Sequence, residues 1–209
     1  NTEVTAALVT TASLVVAATA KVTISDADDT SIAATVLSTI GAITTGVVTV
    51  SNAIIITGSN TEVTAALVTT ASLVVAATAK VTISDADDTS IAATVLSAIG
   101  DKTSGVVTVT HAIIITGTLA EVTAALVETA KLVVVSDAQA TISDAAGTDI
   151  DATDLSAIGA KTSGVVTVTN AIDISGDHDE VKAALVTASS KVIAATATVT
   201  ISGTLSTAT

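Results

Sequence analysis

The sequence predicts a repeat solenoid, a right-handed α/β- or β-solenoid with parallel strands, on the basis of two observations. The first is internal repetition, because residues 1–38 recur without a single change as residues 60–97. The copies follow one another without insertion and span residues 1–59, 60–118, 119–177 and, in part, 178–209. The second is composition: the chain is 49% apolar but has no Phe, Trp, Tyr, Met, Cys or Pro. Its many β-branched residues suit a pleated sheet, and stacked repeats can bury a core that one repeat cannot.

Each 59-residue copy divides into two similar halves. Both halves contain a short β-branched strand, a polar turn, an Ala-, Leu- and Ile-rich segment of helical character, and a second β-branched stretch. The whole chain, residues 1–209, is therefore predicted to form one solenoid of about seven coils of about 29 residues each, with two coils per copy. Since parallel strands of successive coils pair through right-handed crossovers, we expect residues 59 positions apart to lie over one another as rungs of a single ladder.

The first apolar segment, EVTAALVTTASL, has the clearer helical pattern, with Val4, Leu8 and Ala12 on one face. The polar turns SDADD and TGSN contain residues that cap helices and tolerate bends. The second apolar segment ends on a glycine, as a helix C-terminus often does. These glycines are Gly41, Gly100 and Gly159.

The second apolar segment has an ambiguous pattern in the third copy, where Asp154 replaces Val95 of the second copy. On an ideal helix Asp154 would lie between the directions of Ile150 and Ile158, inside the apolar stripe. The segment is either one short, distorted helical turn or partly extended, and its helix content stays open at this point.

Charge excludes several classes of partner. Twenty Asp and Glu residues against seven basic residues give a formal net charge of −13, which repels nucleic acid and anionic lipid surfaces. No apolar run approaches the roughly 20 residues that cross a bilayer, so we expect no membrane insertion. The chain shows no signal segment and no initiating Met, so we expect a piece or a processed form of a longer protein.

We expect no enzymatic activity and no cofactor. Without Cys there is no thiol nucleophile and no thiolate metal site. The only two histidines, His111 and His178, stand where sister copies have Asn or Leu, so neither is placed for Ser-His-Asp catalysis. Asp151 and Asp154 form a carboxylate pair in one copy only.

The acidic turns are the candidates for a Ca²⁺ site, because stacked turns could bring several carboxylate oxygens together. The alternative is that these carboxylates cap helices and face solvent. The candidate ligands are Asp26, Asp28, Asp85, Asp87 and Asp144.

Two candidate surfaces follow from outward-facing strand residues. Thr-x-Thr pairs resemble the flat face of ice-binding solenoids, although outward threonine is also ordinary on a sheet. The members of this face are Thr49, Ser51, Thr108, Thr110, Thr167 and Thr169. Ile55 and Ile114 are replaced by Asp173 in the third copy, so this position faces solvent or makes a lateral contact between molecules.

Residues 115–176, with ITGT, EVTAALVETA, ATISDA and TDIDATDLSAIGAKTSG, resemble tandem repeats of very large secreted and cell-surface proteins of marine cyanobacteria and other marine bacteria. Those repeats have the style LTGT…TLSD…DLNTLDGKTSG, and the resemblance extends copy by copy over the whole chain. It implies secretion and a surface, adhesive or filamentous role, and it implies no catalytic residues.

The predicted function is that of a structural repeat module of a secreted extracellular filament, surface layer or adhesin. The module would assemble by end-to-end stacking of parallel β coils, so its partner is itself or the continuation of a longer repeat chain. The alternative is a ligand-binding solenoid that holds Ca²⁺ at the acidic turns or ice on the threonine-rich face.

Overall fold

The computed structural model describes residues 1–10, 18–69, 74–128, 132–134, 136–187 and 191–203. In these ranges the chain is a mixed α/β protein with seven α-helices and four separate parallel sheets. The residues fall into two compact units. The first comprises Asn1–Asp85, Val95–Thr110 and Lys131–Val133, and the second comprises Ala86–Thr94, His111–Ala130 and Val134–Thr209.

The helices are short and recur with the sequence repeat. They are α1 (Thr2–Thr5), α2 (Ala34–Ile43), α3 (Asn60–Leu67), α4 (Ala93–Gly100), α5 (Leu119–Thr123), α6 (Ala152–Gly159) and α7 (His178–Leu185). π-Helical segments directly follow α1 (Ala6–Thr10) and α5 (Ala124–Glu128).

The strands have two to five residues each. They are β1 (Val22–Ile24), β2 (Ser31–Ala33), β3 (Val48–Val50), β4 (Ile55–Gly58), β5 (Val74–Val75), β6 (Lys80–Ile83), β7 (Ser90–Ala92), β8 (Val107–Val109), β9 (Ile114–Gly117), β10 (Leu132–Val133), β11 (Gln139–Ile142), β12 (Asp149–Asp151), β13 (Val166–Val168), β14 (Asp173–Asp177), β15 (Val192–Ile193) and β16 (Thr198–Ser202).

The four sheets have two sizes. In the first unit, sheet 1 has the order β1-β3-β5 and sheet 2 the order β10-β8-β6-β4-β2. In the second unit, sheet 3 has the order β15-β13-β11-β9-β7 and sheet 4 the order β12-β14-β16. Every pair of neighbouring strands in these sheets is parallel.

The sequence predicted a single solenoid of about seven coils, with two coils in each 59-residue copy. This prediction is wrong. The strands form four separate sheets, and paired strands lie less than half a copy apart, as for Ser31 with Ile55 and Val22 with Val48. In the described strands, residues 59 positions apart do not pair in one ladder. Ile24 lies in sheet 1 opposite Val50, whereas Ile83, its equivalent in the second copy, lies in sheet 2.

The physical reason for this error is the number of strands in one copy. The second copy, residues 60–118, supplies the five strands β5 to β9, and these lie in sheets 1, 2 and 3. Two successive pairing steps, as from Val22 to Val48 and from Val48 to Val74, fall short of one full copy. Each copy therefore contributes to a different set of sheets from the copy before it.

The helix content that the sequence left open is settled for all three copies. The segment after Ile150 is a strand end followed by a helix, because Ile150 lies in β12 and α6 begins at Ala152. Asp154 is exposed near the start of this helix, so counting helical directions from Ile150 placed it wrongly. α4 and α6 end at Gly100 and Gly159, whereas α2 continues past Gly41 to Ile43. Of the first helical face, Ala12 lies outside the described residues.

The core of each unit consists of Ile, Leu, Val and Ala side chains between the sheets and the helices. In the first unit α2 packs against α3 and β4, with Leu37, Ile40 and Val63 fully buried. In the second unit α6 packs against α5 and α7, with Leu155 and Ile158 fully buried. Burying an aliphatic side chain of this size contributes about 1.5–3 kcal/mol, which compensates for the absence of aromatic residues.

Candidate interaction surface

The acidic turns that follow β1, β6 and β11 are hydrogen-bonded to the starts of α1, α3 and α5, which lie 25 residues earlier in the chain. The carboxylate of Asp85 accepts hydrogen bonds from the backbone N–H of Asn60 at 2.6 Å and from its side-chain Nδ2 at 2.8 Å. Asp144 accepts from the backbone N–H of Leu119 at 2.6 Å. Asp26 accepts from the amino group of Asn1 and from its Nδ2. These carboxylates therefore satisfy backbone donors at helix N-termini, which otherwise have no intrahelical partner.

The neighbouring carboxylates of the same turns are also engaged. Asp28 and Asp87 accept from the backbone N–H of Ala53 at 2.8 Å and of Ala112 at 2.9 Å. Within the described ranges no group of three or more His, Asp or Glu side chains has the arrangement of a metal site. Binding of Ca²⁺ stays a prediction, and its candidate ligands Asp26, Asp28, Asp85, Asp87 and Asp144 have the structural partners given above.

The residues of the predicted ice-binding face are distributed over three sheets. Thr49 lies in sheet 1, Thr108 in sheet 2 and Thr167 in sheet 3. The hydroxyls of the second predicted rank, Ser51, Thr110 and Thr169, donate to the carbonyls of Ile24, Ile83 and Ile142 at 3.1 to 3.2 Å. The first predicted rank therefore belongs to three different sheets, and binding of ice by this face stays a prediction.

Threonine rows do form, but between other partners. In sheet 2, Thr57, Thr82 and Thr108 lie side by side in register. In sheet 3, Thr116, Thr141 and Thr167 do the same. The paired threonines are 25 or 26 residues apart, which is less than half a copy. Aligning the two halves of each copy did not indicate this spacing, so the rows could not be found from the sequence.

The two candidate residues for lateral contact are half-buried and lie in different sheets. Ile55 pairs with Ser31 and Lys80 in sheet 2, and Ile114 pairs with Ser90 and Gln139 in sheet 3. Polar residues therefore flank each isoleucine within its own sheet, and a lateral contact through Ile55 and Ile114 stays a prediction.

The histidines and the carboxylate pair lie on the surface. His178 Nδ1 is 3.2 Å from Asp179 Oδ1, and His111 is exposed in the turn after β8. Asp151 accepts hydrogen bonds from the hydroxyl of Thr153 at 2.7 Å and from its backbone N–H at 2.8 Å. These bonds, with the side-chain bond as the larger cause, hold the pKa of Asp151 below its usual range.

Sequence reasoning missed a recurring structural element, the Thr-x-Gly tie at residues 44–46, 103–105 and 162–164. The buried hydroxyl of Thr103 donates to the carbonyl of Ala79 and accepts from the N–H of Gly105 at 3.0 Å. Thr44 does the same with Ala20, at 2.6 Å, and with Gly46. Only glycine fits at the third position, because a Cβ at Gly105 would collide with the Ala79 carbonyl. The recurrence of TTG and TSG was the available signal.

The last described strand of the second unit, β16, has exposed side chains of the types that are buried in equivalent strands. In β16, Val199 is 42% exposed and Ile201 is 45% exposed. The same residue types at the equivalent positions of the second copy, Val81 and Ile83, are 1% and 0% exposed. β6, which holds Val81 and Ile83, pairs with a strand on each side, whereas β16 pairs with β14 alone in the described part of the chain.

We call the side of β16 facing away from β14 the open edge of β16. An unpaired strand edge with apolar side chains is a template for pairing with another strand, so the open edge of β16 is the candidate interaction surface of this protein. The sequence predicted end-to-end stacking but not which strand has an open edge, because KVTIS and TVTIS have the same local pattern whether or not a neighbouring strand is present.

Comparisons with protein-family models, with curated proteins and with solved structures found no match to this chain. None of the helices in the described ranges has the length and apolar character needed to cross a bilayer.

Proposed function

We propose that this protein is a structural module of a secreted extracellular filament, surface layer or adhesin, and that its copies associate end to end through parallel strand pairing. The observation that carries the proposal is the exposure of Val199 and Ile201 at a strand edge. Their equivalents in the second copy, Val81 and Ile83, are buried. Burying them against a second molecule would remove apolar surface from water and satisfy open backbone groups, which is the usual basis of β-augmentation.

The repeated ties support a structural role. The Thr-x-Gly tie and the carboxylate bonds to helix N-termini recur in three copies with equivalent partners. These side chains hold neighbouring segments in register, so each copy works as a standard building unit. The resemblance to tandem repeats of secreted and cell-surface proteins is the basis for placing the module outside the cell.

Electron microscopy and sedimentation of the purified chain test this proposal. We expect concentration-dependent oligomers that lengthen in one direction, and we expect Ile201→Lys to abolish them. Val186→Lys is the matched control, because Val186 is also exposed, lies in the same unit and gives the same change in charge. A wild-type chain that stays monomeric at every concentration would refute the proposal, as would equal assembly of the two variants.

Binding of ice is a second candidate, supported by the threonine rows of sheets 2 and 3. Three half-buried threonines, Thr57, Thr82 and Thr108, are register partners on neighbouring parallel strands, which lie about 4.8 Å apart. Thermal hysteresis of the purified protein that disappears in Thr82→Lys would support this role, and freezing behaviour identical to that of a buffer with an inert protein would exclude it.

A further inference from the structure

We propose that the open edge of β16 pairs with β1 of a second copy, parallel and in the register Val199 with Val22 and Ile201 with Ile24. This inference rests on the proposed end-to-end association and specifies its partner strand and its register. Four observations about the two strands carry it.

Among the described residues, no strand makes with the open edge of β16 the hydrogen bonds that the equivalent strands receive. The backbone N–H groups of Val22, Val81 and Ala140 donate to the carbonyls of Val47, Val106 and Val165 at 2.9 to 3.0 Å. Val199 is the fourth residue of this series. The N–H of Thr198 faces β14, because it donates to the carbonyl of Ile172 at 2.9 Å. The alternate groups of Val199 and Ile201 therefore point to the open edge.

β1 has the complementary open edge. Its equivalents β6 and β11 receive a strand on that side, where the N–H of Lys80 donates to Ile54 and the N–H of Gln139 donates to Ile113. β1 pairs only with β3 in the described ranges, and β3 lies on its other side. The N–H groups of Thr23 and Ser25 therefore face away from β3.

The two edges match in sequence and in hydrogen-bond phase. Residues 199–202 and residues 22–25 both read Val-Thr-Ile-Ser. With Val199 opposite Val22, the evenly spaced bonds of a parallel ladder join each open donor to an open acceptor. The four bonds run from Val199 N–H to the Lys21 carbonyl, from Thr23 N–H to the Val199 carbonyl, from Ile201 N–H to the Thr23 carbonyl and from Ser25 N–H to the Ile201 carbonyl.

The side chains match as well. Val22 is 9% exposed and Ile24 is fully buried, so in this register Val199 and Ile201 come to lie beside an existing apolar core. Thr23 and Thr200 are both exposed on the opposite face, where threonine pairs are favourable on a sheet. A shift of one residue would turn Val199 and Ile201 to solvent, so the register is the one that buries all four apolar side chains.

A cysteine pair tests the register, and the chain has no native Cys to interfere. In the double variant Thr23→Cys with Thr200→Cys, the two thiols of neighbouring copies would lie about 5 Å apart, within reach of a short bimane crosslinker. We expect a ladder of covalent multimers on a denaturing gel. The control is Thr23→Cys with Thr198→Cys, which moves one thiol two residues along the exposed face to a diagonal position about 7–8 Å away, and it should give at least tenfold less product.

Three results would overturn the inference: no crosslinked product, equal product from both variants, or a crosslink within one chain. If the wild-type chain assembles but the pair Thr23 and Thr200 does not crosslink, the partner strand or the register is wrong and the proposed function stands. If the wild-type chain does not assemble at any concentration, the proposed function fails and this inference fails with it.

Discussion

At the scale of single residues, the buried threonines of the Thr-x-Gly ties are the positions where a small change should cost most. Thr103 is 3% exposed, and its hydroxyl bonds to two backbone groups, one just before β6 and one just before β8. A buried polar group without a partner costs about 1–3 kcal/mol. Loss of this one hydroxyl should therefore lower the free energy of unfolding by about that amount.

We therefore expect Thr103→Val to lower the free energy of unfolding by about 1–3 kcal/mol, because it leaves the carbonyl of Ala79 and the N–H of Gly105 without this partner. Chemical denaturation measures the effect. Thr49→Val is the control, since Thr49 is exposed on a strand and its replacement should change stability by less than about 0.5 kcal/mol. Equal effects of the two substitutions would contradict the role of the tie.

Asp151 should give the third copy an acid-sensitive contribution to stability. Its pKa is lowered in the folded state by its bonds to Thr153, so the folded state favours the carboxylate more than the unfolded chain does. The contribution is present above the usual carboxyl pKa, about 3.9, and is lost as pH falls through the lower folded value.

We expect Asp151→Ala to lower the melting temperature at pH 7, and we expect this effect to shrink as pH falls below the usual carboxyl pKa. Alanine is the natural comparison, because Ala33 and Ala92 occupy this N-terminal cap position in the first two copies. Thermal denaturation at several pH values measures this difference, and a difference that does not shrink in acid would contradict the assignment.

Local residue roles were only partly predictable. The sequence indicated that SDADD forms a capping turn, but the helix that Asp85 serves begins at Asn60, 25 residues earlier, and no local pattern shows that distance. Asp29 and Asp88 adopt a left-handed backbone with φ of 61°. The third copy has Gly147 at this position, with φ of 77°, which is the residue best suited to that conformation.

At the scale of secondary-structure elements, α3, α5 and α7 each begin with a capping box, in which two side chains pair with backbone N–H groups. At α3 the Ser59 hydroxyl accepts from the N–H of Glu62, the Glu62 carboxylate accepts from the N–H of Ser59, and Asp85 accepts from Asn60. The start of α3 is therefore fixed both by its own residues and by the turn after β6.

We expect Asp85→Ala to destabilise the protein by about 1–2 kcal/mol, because it removes a charged acceptor from a helix N-terminus. Asp101→Ala is the matched control, since Asp101 is exposed just after α4 and has the same charge. Both are measured by thermal denaturation. If Asp85→Ala is no more harmful than Asp101→Ala, the bond to Asn60 does not stabilise α3.

The positions of the strands and helices were more predictable than the strands with which each strand pairs. Alternating Val, Thr and Ile indicated the short strands, and Ala-, Leu- and Ile-rich segments between polar turns indicated the helices. The strand end at Ile150 and the helix start at Ala152 lie next to each other, so a single apolar run contains two elements and no helical period fits all of it.

At the scale of the whole molecule, the repeat period was evident but the pairing interval was not. The second and third copies each contain five strands in their described residues, whereas each pairing step spans less than half a copy. The number of residues between two paired strands depends on how far the chain runs before it returns to the same sheet. Identical copies give the same sequence pattern whatever that number is. The four sheets and the open edge of β16 therefore had to come from the three-dimensional structure.

The two three-stranded sheets contain the strands that we propose to pair between molecules, β1 and β16, and each of these is an edge strand among the described residues. Sheet 4 ends at β16, and sheet 1 starts at β1, the equivalent strand three copies earlier. In sheets 2 and 3 the strands equivalent to both, β6 and β11, lie at the centre of five. Joining β16 to β1 of a second copy would place each of them inside a larger sheet.

Amide hydrogen exchange at Val199, followed by NMR against protein concentration, tests the end-to-end association most directly. Val81 is the internal reference, because its N–H donates to the carbonyl of Val106 at 2.9 Å and should exchange slowly at every concentration. We predict that the amide of Val199 exchanges rapidly in dilute solution and becomes protected as concentration rises. Protection of Val199 equal to that of Val81 in the dilute monomer, or rapid exchange at every concentration, would contradict the account.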